Sequence, residues 1–255
     1  MKQKICKDIE VFSLTHSGEV TPAVEAVLNG KIAVFRLGSV FSFVLNPNIA
    51  GLPDKFNLLK GRHKTQSLST VCSYEQAKLF VDKARVNEDF FSIPADLCSK
   101  VILRIPVEKT VTHKLPHNTK QETMQFLNFE AHHKVRCAFR DELAAKGCDH
   151  ISITSGNIHG APTIEELEPA KMLATVFNIK ADFFGMDLET IVTDFPDEVG
   201  GQKGSYIVLS FCNKEAIEVK RLANKIDREV TEKCLKELFR DIKTQTPLVY
   251  ALDET

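Results

Sequence analysis

The sequence predicts an α/β protein, a single layered domain over residues 1–255 in which one sheet is flanked by helices. Three observations predict it. Segments with helical and strand periodicity alternate along the chain, which favours packed layers over a bundle or a sandwich. The 255 residues are 43% hydrophobic and 26% charged, enough to bury a sizeable core. No repeat, low-complexity tract or domain-separating linker breaks the alternation.

Residues 20–29 set Val20, Ala23, Val24, Ala26, Val27 and Leu28 on one face, and Gly30 ends that helix. KIAVFRLGSVFSFVLNP reads as strand, turn, strand, split at Arg36–Leu37–Gly38. Residues 53–60 predict a short helix ending at Lys60–Gly61, and Ser67–Cys72 a strand. Ser73 with Gln76 has capping-box spacing ahead of the helix YEQAKLFVDKARV. KVILRI at 100–105 reads as a buried strand, and residues 106–121, without clear period, as loop. A helix follows over 130–146, closed by Gly147, then a strand over Ile151–Ser155. Thr163 with Glu166 forms a second capping box, opening a helix to about Ala174. Residues 205–212 and 216–220 read as strands. The tail at 227–243 reads as an amphipathic helix carrying Val230, Cys234, Leu235, Leu238 and Ile242.

A formal net charge of −1 excludes a global basic field drawing in nucleic acid, though not a local basic groove. The seven cysteines include no C-x-x-C pair and read as small core hydrophobes. MKQKICKDIEVF lacks the apolar stretch of a signal peptide, and no run approaches the roughly 20 apolar residues of a membrane span. The expectation is a cytoplasmic protein without a membrane partner.

Two clusters can carry chemistry. Lys60-Gly-Arg-His-Lys-Thr-Gln-Ser67 concentrates cations and donors around a glycine. Lysine brings a point charge, and arginine a fork that grips two phosphate oxygens. Taken alone, the segment also fits a solvated basic turn. Thr154-Ser-Gly-Asn157 follows an apolar strand, and ligands of open α/β sheets bind beyond the carboxyl ends of strands. Hydroxyl and amide groups there suit phosphate, ribose or carboxylate, with Gly156 allowing close backbone approach. Taken alone, this segment also fits an Asx or Ser/Thr turn.

Together, K-x-R followed far downstream by S-x-N resembles the signature of the YrdC-like family. LLKGRHKTQSLSTVCSYEQAKLFV is similar to that family's helix, K-G-R-P, strand, helix stretch. ITSGNIHGAPT resembles its T-S-A-N-x-S-G-x-P segment. GKIAVFRLGSVFSFVLNP aligns without gaps to G-x-V-x-x-Y-P-T-x-T-x-Y-G-L-x-x-x-P. Gly200–Gly201 with Gly204–Ser205 resembles the G-G…S-T-V-V-D strand, and Arg221 stands at the late arginine. The resemblance spans about residues 20–235.

It implies a twisted, open mixed sheet flanked by helices. It also implies a nucleotide site in which Lys60 and Arg62 contact ATP phosphates, Ser155 and Asn157 complete the site, and Ser205 and Arg221 close it. Active relatives are L-threonylcarbamoyladenylate synthases, nucleotidyltransferases of tRNA modification that join bicarbonate, L-threonine and ATP and release pyrophosphate. Mg²⁺ bridging phosphates is the expected ion, with no protein metal site.

The departures fall where the second substrate would bind. Y-P-T-x-T is Phe35-Arg-Leu-Gly-Ser39 here. Leu37 replaces the first threonine, Ser39 keeps one hydroxyl, and Arg36 adds charge. Ser92–Cys98 is a poor counterpart of P-G-P-x-T, and V-R-x-P-D-H-P maps onto Leu127–His133 with Asn128 at the arginine. Three readings follow: an ATP-dependent adenylate-forming or carbamoyl-transfer enzyme with an altered second substrate; a non-catalytic binder of tRNA or double-stranded RNA; an active threonylcarbamoyladenylate synthase.

Other candidates weigh less. Glu130, His132 and His133 read as an exposed helical face, since adjacent helical residues point about 100° apart and cannot easily share one ion. His63 and His159 carry no assigned role. Asp194–Glu198 reads as a solvated acidic loop, with Phe195 the apolar contact of a mobile cover.

Overall fold

The computed structural model describes residues 8–93, 101–115, 119–120, 122–129, 133–157, 162–198, 207–222 and 246–252. In chain order its strands and helices are β1 (Val11–Ser13), α1 (Thr21–Leu28), β2 (Ile32–Leu37), β3 (Val40–Leu45), α2 (Leu52–Leu59), β4 (Ser69–Val71), α3 (Tyr74–Phe80), β5 (Ile102–Pro106), α4 (Lys109–Lys114), β6 (Thr119–Lys120), β7 (Thr123–Leu127), α5 (Lys134–Ala145), β8 (Ile151–Ser155), α6 (Leu167–Phe183), β9 (Thr190–Asp194), β10 (Val208–Ser210), β11 (Ile217–Arg221) and β12 (Leu248–Tyr250). Among the described residues no helix is long and apolar enough to cross a membrane. The chain divides into two compact units, Met1–Gln66 with Lys134–Gly201, and Ser67–His133 with Gln202–Thr255. Both carry mixed sheets with helices, the α/β class the sequence predicts.

In the first unit the strand order is β1-β9-β2-β3-β8. β9 runs parallel to both β1 and β2, while β3 is antiparallel to β2 and β8. β2 and β3 are buried along their whole length, so both faces of this sheet are covered. The register explains how. Val34 pairs with Phe43 and Phe35 with Ser42, so Phe35 and Phe43 point to opposite faces. Phe35 packs on Phe139 of α5 (5.2 Å between centroids) and on Phe195 (4.8 Å). Phe43 packs on Phe56 of α2 (5.2 Å) and Phe177 of α6 (4.5 Å). Helices α2 and α6 therefore share one face of the sheet, and α5 lies on the other.

In the second unit the order is β4-β7-β5-β10-β11-β12, with β6 on β7. Its core gathers Cys72, Tyr74, Leu103, Ile105, Met124, Leu209 and Val219. Phe90 sits among Tyr74, Phe126 and Phe211 in edge-to-face contacts.

Several expectations change. The β2–β3 turn is Gly38–Ser39, with Leu37 paired to Val40, so Arg36 and Leu37 are strand residues. The Ser73 cap forms, its hydroxyl accepting from the Gln76 N–H at 3.1 Å, but α3 stops at Phe80 because Val81 bridges to Val107. The predicted loop at 106–121 contains α4 and β6. Helix α6 begins after Glu166 and continues to Phe183, well past Ala174. His133 is buried ahead of α5, not on an exposed helical face. Glu130, His132, His159, Gly200–Gly201, Gly204–Ser205 and the 227–243 helix lie outside the described residues.

The acidic stretch is not a solvated loop. Asp194 closes β9, and Phe195 is fully buried. The Glu198 carboxylate accepts from the backbone N–H groups of Val135 (2.7 Å) and Arg136 (3.3 Å) and from Arg136 Nε (3.2 Å). An acid far along the chain thus caps the N-terminus of α5, where unpaired N–H groups favour negative charge.

Candidate functional site

Why K-G-R places two cations together follows from the way α2 ends. Gly61 adopts φ 74, the left-handed conformation that a side chain disfavours. The Gly61 N–H then donates to the Leu58 carbonyl (3.0 Å) and the Arg62 N–H to the Asn57 carbonyl (2.8 Å). These are the two bonds of a Schellman motif, with Lys60 as C-cap and Arg62 two residues on. The glycine reverses the chain so that both side chains return toward β8. Asn57, fully buried in α2, fixes the following loop by donating to the carbonyls of Lys64 and Gln66, each at 2.9 Å. Lys180 of α6 donates to the carbonyl of Leu59, completing this helix end.

The other half of the site is the end of β8. Thr154 pairs across from Phe43, so its side chain lies on the face covered by α2 and α6. Its Oγ1 accepts from Arg62 Nη1 (2.9 Å) and from Lys60 Nζ (3.4 Å). Lys60 Nζ also donates to the Ser155 carbonyl and to Ser155 Oγ (3.3 Å), and lies 5.4 Å from the Phe43 ring centroid.

Lys60 is only 3% exposed. Burial, and then the neighbouring Arg62 charge, push its ammonium down to about 6. Burial lowers Arg62 as well, and its Nε is buried without a hydrogen-bond partner. Among the described residues no carboxylate forms an ion pair with either cation. Two buried basic side chains are thus held against neutral oxygens, an arrangement that can accept an anion.

Of the residues singled out by sequence, Lys60, Arg62 and Ser155 are brought together. Asn157 is half-buried two residues beyond Ser155. Arg221 and Asn128 belong to the second unit, the former at the end of β11 and the latter accepting from the Phe129 N–H at 2.9 Å. Ser205 lies outside the described residues. Arg36 is not a loose charge: its Nε pairs with Asp194, its Nη1 donates to the Glu165 carbonyl (3.3 Å), and the guanidinium lies 4.4 Å from the Phe41 centroid. Leu37 is buried and Ser39 half-buried in the turn.

Thr154 stands first in the second cluster by sequence, but its place as the acceptor between Lys60 and Arg62 was not foreseen. Strand alternation from Ser152 was the available signal, since it puts 152 and 154 on one face. Asn57 was also missed, and nothing in its local sequence marks it. Asn57→Ala is expected to leave two loop carbonyls unpaired, costing about 1–3 kcal/mol in a denaturant titration.

The close backbone approach expected at Gly156 is made to β3. A Cβ there would sit 2.4 Å from the Phe41 carbonyl oxygen. Cys72 and Cys148 are buried; burial pushes the Cys148 thiol up to about 11, the inert behaviour of a core thiol. Among the described residues no cluster of three His, Cys, Asp or Glu side chains is placed to hold a metal.

This arrangement of mixed sheet and helices is a fold with solved members. No protein-family model matches the sequence, and no curated protein matches it. The structural neighbours are Sua5/YrdC-type proteins, and the fold is the YrdC-like one that the sequence resemblance implies. P. abyssi Sua5 complexed with L-threonine superposes with a TM-score of 0.57 at 16% identity over 94% of this chain. The chain spans only 62% of that Sua5. A hypothetical protein, smu.1377c of Streptococcus mutans, gives 0.65 at 13% identity, covering 97% of this chain and 99% of its own. Full-length HypF in its phosphate- and nucleotide-bound form gives 0.58 at 16% identity, covering 80% of this chain and 24% of HypF.

Proposed function

We propose that the chain is a YrdC-like nucleotide-binding protein that holds the phosphates of ATP at the α2–β8 site. The carrying observation is the pair of buried basic side chains, Lys60 and Arg62, with no carboxylate partner among the described residues; a bound phosphate would restore the Lys60 charge that burial removes. Both are donors suited to charge-assisted bonds with phosphate, and the buried Arg62 Nε offers an unused one. HypF, which shares the fold, is solved with phosphate and nucleotide, which supports the same ligand class here. Ser155 and Asn157 supply neutral hydrogen bonds, with Mg²⁺ as the ion accompanying the phosphates.

The reading extends to an ATP-dependent adenylate-forming or carbamoyl-transfer activity on a second substrate other than L-threonine. Supporting this, Leu37 offers no hydroxyl, and the Arg36 guanidinium is already engaged by Asp194 and the Glu165 carbonyl.

Titration calorimetry with ATP and with L-threonine tests both parts. ATP is expected to bind and threonine to give no heat. Absence of binding by ATP and every other nucleotide overturns the site, and threonine binding overturns the altered substrate. Affinity for tRNA or duplex RNA falling steeply with salt, in a protein that ignores ATP, would favour an RNA-binding role instead.

A further inference from the structure

The outward face of α6 carries Met172, Val176, Ile179 and Phe183, which are 68, 39, 55 and 83% exposed, with Phe184 just beyond at 57%. The opposite face holds Ala170, Leu173, Ala174, Phe177 and Ala181 against the first unit's core. At 100° per residue the four outward positions fall within an arc of about 60°. Their 4-3-4 spacing is that of a helix-pairing seam, not of scattered surface apolars.

We infer that this face is an interface between two copies of the chain, α6 pairing antiparallel with its counterpart about a two-fold axis between Phe177 and Asn178. A two-fold requires a self-complementary surface. The seam meets that requirement because 4-3-4 reads the same in both directions. Met172 then faces Phe183 of the partner subunit, a thioether–ring contact, and Val176 faces Ile179 of the partner subunit. Antiparallel pairing also opposes the helix dipoles favourably. The four seam side chains, with the stems that flank them, offer on the order of 500 Å² per copy, so about 1,000 Å² in all, which reaches the lower bound of a specific interface. The dimer is therefore of modest affinity and reversible.

Sedimentation of the full chain between ~1 and ~100 µM tests this, a range that brackets interfaces of that size. The weight-average mass is expected to climb from that of one chain to that of two. Ile179→Glu keeps the protein at one chain throughout, with an unchanged circular dichroism spectrum. Register is read from cysteine variants. M172C mixed with F183C cross-links readily, whereas either alone does not, because like positions stand about 16 Å apart along the paired helices. A single-chain mass at every concentration, as when another part of the same chain covers the seam, overturns the inference. So does a dimer that survives Ile179→Glu, or cross-linking that is equally efficient in each variant alone.

Discussion

Lys60→Met is expected to make the empty protein more stable while weakening the ATP binding proposed for it. Methionine keeps an unbranched apolar stem of nearly the same length but has no ionisable group to bury. In the wild type the unfolded chain holds the Lys60 proton with an ordinary affinity, near 10.5, whereas the folded chain holds it only to about 6. Between these values the unfolded state binds more protons, so wild-type stability rises with pH by up to about 1.4 kcal/mol per unit. The penalty is fully present below about 6 and fades as pH climbs toward 10.5. Burial raises the Cys137, Cys148 and Cys212 thiols in the folded state, so they also shape stability near pH 8.5; they do so equally in both proteins, and the difference between wild type and Lys60→Met between about pH 6.5 and 8.5 isolates the lysine.

Across that window the advantage of Lys60→Met should be greatest at the acidic end and shrink steadily. A pH-independent difference would show that the lysine is charged in the folded protein. For ATP, loss of one charge-assisted bond worth about 1.5–3 kcal/mol corresponds to a roughly 10- to 150-fold weaker complex. Stability withheld from the empty state in this way is the usual cost of a site built for charge.

Gly156→Ala is expected to be the most damaging small substitution in the first unit. The new Cβ would lie 2.4 Å from the Phe41 oxygen, 2.6 Å from its carbonyl carbon and 2.9 Å from the Ser42 nitrogen. All three are backbone atoms of β3, so no side chain can swing away. Relief requires β3 and β8 to part where Ser42 pairs with Ser155, which also stretches the 3.1 Å bond from the Gly156 N–H to the Phe41 carbonyl. A loss of about 3 kcal/mol is expected, the upper range for overpacking, together with weakened ATP binding because the Ser155 acceptors for Lys60 shift. Gly61→Ala provides the contrast. Nothing lies within 4 Å of that position, so only the left-handed backbone is strained, at about 1–2 kcal/mol. Equal losses at the two glycines would contradict this ranking.

Local patterns carried much of the fold. ISITS reads as a strand because its apolar residues are β-branched, and the strand runs over those five residues. K-G-R was legible because a helix stop and a pair of basic side chains are both written in three consecutive positions. Long-range pairing was not legible. Asp194 and Glu198 look solvated in sequence because their partners, Arg36 and Arg136, are 158 and 62 residues away. Helix α6 was cut short at Ala174 because the amphipathic rhythm fails beyond it, where Val176, Ile179 and Phe183 put apolar side chains on the outward face. Thr154 was visible as part of the T-S-G-N cluster, but its partners were not, since any strand threonine can face a core. Only the return of α2 at Gly61 makes its hydroxyl the meeting point of two cations.

The first unit is assembled from two stretches, Met1–Gln66 and Lys134–Gly201, and its Lys60–Thr154 contact closes a separation of 94 residues. During synthesis the N-terminal stretch therefore emerges without the strands that flank β2 and β3, and its buried faces stay uncovered until β8 and β9 follow. At about 5–20 residues per second, that interval is on the order of ten seconds. Contacts this distant also lower the folding rate, because loop closure must precede the gain from packing. The apolar run from Ile32 to Leu45 is thus uncovered in the nascent chain, and the Lys60–Thr154 contact forms only once translation has passed β8.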